Sequence, residues 1–170
     1  MGAWGAIIMS FFGAVFAAMT LGLQLHVSTI VLALPFLVFV LIAFAAHKVI
    51  RLPGEGLAPS ERAGRVIMWS SIGEGVGLFV AANVVMNLHH RDLLLPAMAL
   101  VVGLHFLPMA WAIPFRPFGF LGGALLLAAA FGFGLAQPLG GAVAGFAAAL
   151  ALVAAALLAL RRDLRAKASA

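Results

Sequence analysis

Six stretches of about twenty apolar residues, separated by polar or proline-bearing breaks, leave this chain one class of fold. They run at about 4–23, 27–46, 66–86, 93–113, 118–136 and 139–160. A helix that crosses a hydrocarbon core needs ~20 such residues. Gln24 to Ser28 makes the first break and Lys48 to Arg65 the second, a long loop with Pro53, Gly54, Gly56 and Pro59. His89-His90-Arg91-Asp92 makes the third, and Pro114, Arg116 and Pro117 the fourth. The fifth is Gln137-Pro138, where one bent helix and a five-span chain is the rival reading.

Composition rules out the soluble alternative. The chain is 65% hydrophobic and 9% charged, where a soluble domain carries roughly 25% charged residues. The expectation is an all-α integral membrane protein: a six-transmembrane-helix bundle of three antiparallel helical hairpins. Residues 1–160 form one transmembrane domain, and 161–170 form a basic cytoplasmic tail. The first stretch lacks a basic leader and a small-residue cleavage site, so it reads as a retained helix.

Charge orients the bundle. With six spans, the termini and the second and fourth loops share one side. That side holds Lys48, Arg51, Arg62, Arg65, Arg116, Arg161, Arg162, Arg165 and Lys167, and the other holds only Arg91. Basic residues gather on the cytoplasmic side, so both termini are expected there, in a bacterial inner membrane. Trp4, Trp69 and Trp111 fall near the same helix ends, where indole favours the headgroup zone. Ten basic residues spread over helix ends make no groove-sized patch, so nucleic acid is not an expected partner. The lipid bilayer is. Gly73-x-x-x-Gly77, Gly119-x-x-x-Gly123 and Gly141-x-x-x-Gly145 offer close-packing faces for the bundle or for a homo-oligomer.

Chemistry concentrates at Glu74, the one carboxylate inside an apolar stretch. An intramembrane acid is costly and marks a functional site or a buried partner. Counted from Arg65, Glu74 lies ~13 Å into its helix; counted back from Ala112, His105 lies ~10 Å into the next. Antiparallel neighbours would set the two at similar depth. Ser70 and Ser71 precede Glu74 by four and three residues, on its helix face. Pro108 frees the carbonyl of Leu104 beside His105. These residues form the expected substrate- or ion-binding site. A carboxylate in low dielectric can load and release a proton or take a cationic group. The competing reading is a buried Glu–His pair that locks two helices.

Secondary polar candidates are Asn83 and Asn87, an i, i+4 pair suited to interhelical hydrogen bonds, as are Gln24 and Ser10. His89, His90 and Asp92, with His26 at the same end, carry donors that suit Zn, Cu or Ni. Adjacent histidines rarely both reach one ion, and the spacing matches no zinc signature, so a solvated polar turn is preferred. His47 reads as a boundary residue. Cysteine is absent; thiolate ligands, disulfides and cysteine nucleophiles are excluded. No nucleophile-elbow, zinc-protease or P-loop motif occurs, and no cofactor is expected.

A small transporter or channel for a solute or ion is the leading expectation, with Glu74 as its titratable group. The alternatives are a non-catalytic membrane scaffold or assembly protein, and an enzyme acting on a lipid-like substrate through Glu74 and His105.

Overall fold

The computed structural model describes residues 2–54 and 60–168. Glu55, Gly56 and Pro59 of the expected long loop lie outside them. The described residues are helical, without strands. Six helices are long and apolar enough to cross a membrane. They are α1 (Ala3–Leu23), α2 (Leu34–Arg51), α3 (Glu61–Asn87), α4 (Leu94–Ala112), α5 (Pro117–Gly134) and α6 (Leu139–Ala168). Gln137 makes the fifth break a real one. Its amide donates to the carbonyl of Gly132 at 2.9 Å and accepts from the Gly141 N–H at 2.8 Å. One side chain thus closes α5 and opens α6.

Several helix ends depart from the hydropathy boundaries, three of them for a chemical reason. α2 begins at Leu34, not near 27, because Pro35 lacks an N–H and fits a first turn rather than a helix interior. α3 begins at Glu61, not 66. The Ser60 hydroxyl accepts from the Ala63 N–H at 3.3 Å, and Glu61 puts negative charge on the first turn. α6 runs to Ala168, so most of the expected tail is helix.

That extension works as a clamp. Buried Asp163 accepts the N–H of Ala3 at 2.9 Å, capping the start of α1. One turn on, Lys167 donates to the carbonyls of Val49, Ile50 and Leu52, each at 3.0 Å, at the end of α2. Acid meets a helix N-terminus and base meets a C-terminus, as the helix dipole favours. The Arg162 guanidinium lies 5.0 Å from the Phe115 ring, reaching the α4–α5 connection. Asp163→Ala should cost about 1–2 kcal/mol of stability by loss of the cap, and Asp163→Asn less, since its amide oxygen still accepts. Thermal unfolding in detergent checks this; equal melting of wild type and Asp163→Ala would remove the clamp.

α1 packs most extensively on α6, and α4 on α5. α2 rests on α1 with a smaller contact to α6, and α3 rests on α4. The α1–α6 seam is set by absent side chains. A Cβ on Gly145 would collide with the Thr20 hydroxyl, and one on Gly141 with the Gln24 amide. Gly13 meets the Ala149 carbonyl, at 3.2 Å from where its Cβ would be. Of the other expected glycine pairs, Gly77 meets Val101, while Gly73 and Gly123 have open space around them. α3 buries only Ala63 and Val85 and turns Trp69, Val76 and Phe79 outward.

Candidate functional site

α1 and α3 stand apart, and α4 forms the floor between them. The gap is a cleft of ≈ 330 Å³. Ile8, Met9 and Phe12 line it from α1, Phe106 and Met109 from α4, and Phe118 from α5. α3 contributes Ser71, Glu74, Gly75 and apolar neighbours. Glu74 is the middle residue of the 27-residue α3, thirteen residues from Glu61 (74 − 61) and thirteen from Asn87 (87 − 74).

Glu74 and His105 meet in the wall of this cleft. Their closest atoms, Glu74 Oε2 and His105 Nδ1, are 3.6 Å apart. That is ion-pair distance, beyond a hydrogen bond. Both side chains are largely withdrawn, at 13% and 8% exposure respectively. Among the described residues His105 Nδ1 has no hydrogen-bond partner. A buried polar atom without a partner costs free energy, so it calls for an explanation.

The pair divides two spaces. Behind it, on the outer side of the α3–α4 seam, lies a groove of ≈ 310 Å³ lined by Ser70, Gly73, Val101, Leu104 and Pro108. A small void of ≈ 40 Å³ continues past His105 to Leu152 of α6. The two serines therefore part company. Ser71 lines the inner cleft and Ser70 the outer groove. Successive helical residues lie ~100° apart, which is enough to send them to opposite sides of Glu74. Among the described residues neither hydrogen-bonds the carboxylate. The groove is open at this level because Gly73 adds no side chain.

The secondary candidates have local roles. Asn83 donates to the Phe79 carbonyl of its own helix at 2.8 Å, and Ser10 to that of Ile7 at 3.0 Å. Neither makes the expected interhelical bond. Asn87 is exposed at the end of α3. Gln24 does bridge elements, donating to the Asp92 carbonyl at 3.3 Å.

His89 and His90 terminate α3. His89 has φ 60°, its N–H reaches the Met86 carbonyl at 3.1 Å, and the His90 N–H reaches Val85 at 3.1 Å. This is a Schellman stop, normally given to glycine. His26, with φ 51°, turns the chain after α1. Among the described residues no three His, Asp or Glu side chains gather as a metal site, so His26, His89, His90 and Asp92 are not assembled into one.

Sequence reasoning missed Thr20 and Asp163 as packing residues. Thr20 is fully buried against α6 and donates to the Phe16 carbonyl at 2.7 Å. Its spacing four residues before Gln24, matching Gly141 and Gly145, was the available signal. No protein-family model, curated protein or solved structure matches this chain.

Proposed function

We propose that this chain is an integral membrane transporter that moves a small solute in exchange for a proton held by Glu74 and His105. The carrying observation is the 3.6 Å pair in the wall of the α1–α3 cleft, with an unpartnered imidazole nitrogen. Charged groups at mid-helix depth are expensive, and pathways are where they are usually kept. In this reading the six helices span the bilayer as three antiparallel hairpins. Both termini, and the ends bearing nine of the ten basic residues, face the cytoplasm. Exposed Trp4, Trp69 and Trp111 support that placement, and the apolar outward face of α3 suits lipid.

The test is flux in proteoliposomes with an imposed pH gradient and an entrapped pH indicator. Amines, quaternary ammonium ions, alcohols, carboxylates and zwitterions are added in turn. At least one class should collapse the gradient, and Glu74→Gln should slow this at least tenfold while melting like wild type. If no class gives wild type a rate above the Gln variant, transport is excluded.

A second reading, a scaffold for other membrane proteins, draws on α3. Among the described residues nothing lies within 4 Å of where a Cβ on Gly64, Gly73 or Gly75 would sit, and small-residue faces favour helix docking. Crosslinking in native membranes that captures a defined partner, together with absent flux, would favour it.

A further inference from the structure

The substrate class of this site follows from what lines it, and it rests on the transport reading above. We propose that the α1–α3 cleft binds an organic monocation, an apolar body carrying one fixed or protonated positive nitrogen.

Three observations carry this. The walls are apolar and aromatic, with Phe12, Phe106 and Phe118 among them, so most of a ligand there must be apolar. Such faces also attract a cation through their ring quadrupoles. Polar chemistry is confined to one side, at Glu74, His105 and Ser71. No other titratable side chain lines the cleft from α1, α3, α4 or α5 among the described residues, and α6 presents Leu152 to the void behind. The site thus offers one negative charge and no second acid for a dication. It offers no arginine or lysine for an anion.

The third observation is the unpartnered Nδ1 of His105, on a side chain more than nine-tenths buried. A neutral Glu–His pair holds one proton, on the carboxylate or on the imidazole. A monocation entering beside Glu74 can replace that proton. Afterwards the carboxylate is paired with the ligand, the imidazole is neutral, and the net charge of the site is unchanged. Burying unbalanced charge is the large cost in such surroundings, and one-for-one exchange avoids it. A cleft of ≈ 330 Å³ suits a small organic ligand.

Benzyltrimethylammonium is the probe, because it cannot lose its charge. Neopentylbenzene has the same shape without the charge. Binding to full-length protein in nanodiscs is measured by calorimetry in two buffers of different ionisation enthalpy, which gives the protons released per ligand. The expected result is saturable binding with about one proton released, and no competition by neopentylbenzene. Glu74→Gln should weaken binding at least tenfold. Gly75→Leu should do the same by obstruction, since its Cβ has open space and the fold need not shift.

Equal binding by wild type and Glu74→Gln, or equal competition by the neutral analogue, overturns the proposal. Cation-independent flux of another solute class that still requires Glu74 would overturn it too, and leave the transport reading standing. Binding with proton release but no flux keeps the monocation site and removes transport.

Discussion

Gly145→Leu should leave no folded, monodisperse protein. The position faces the Thr20 hydroxyl across the α1–α6 seam, and the first added carbon already collides with it. Thr20 cannot swing aside freely, because it is buried and bonded to the Phe16 carbonyl. Leucine would have to force the two helix backbones apart along the largest interface in the bundle. Overpacking a core usually costs about 1–3 kcal/mol, and a leucine whose first carbon already meets a buried, bonded threonine belongs at the top of that range or above it. Gly123→Leu is the control, because open space surrounds that position. Size-exclusion profiles and melting of the two variants should diverge sharply. Similar behaviour would mean that the seam does not set the fold.

His105→Leu should destabilise by about 3 kcal/mol, because it strips a largely withdrawn carboxyl group of the one ionisable side chain at ion-pair distance among the described residues. Uptake of a proton by Glu74 would soften this loss. The double variant Glu74→Leu/His105→Leu should recover most of it, since apolar replacement of a whole buried pair is often neutral or better. A coupling energy above about 1 kcal/mol in the double-mutant cycle would establish the interaction. Additive effects would mean that the two groups sit close without sensing each other. Recovered stability with lost flux would separate the pair's chemical role from its structural one.

Much of the architecture is legible in hydropathy because lipid-length apolar runs have few other uses. Helix ends were less so. They depend on single residues such as Pro35 and Ser60, whose local chemistry overrides the apolar pattern. The approach of Glu74 to His105 could be anticipated by counting depth along neighbouring helices. Which way each serine turned could not, because a single residue step moves a side chain to a different neighbour. Asp163 was hidden for another reason. It reads as a tail acid, and its partner Ala3 lies 160 residues away in sequence. Likewise, the glycine spacing of α6 announced a close approach without naming α1 as the helix approached.

That long reach between α1 and α6 has a consequence for biosynthesis. A ribosome adding ~5–20 residues per second needs on the order of ten seconds to make the intervening chain. For a chain inserted as it is made, α1 must wait in lipid without the helix that finally covers it. Its buried hydroxyl is ready for that interval, because Thr20 donates to its own helix rather than to α6. At this hydroxyl the nascent helix thereby needs no partner from α6, whose late arrival supplies shape along the seam and the Asp163 cap at the helix start.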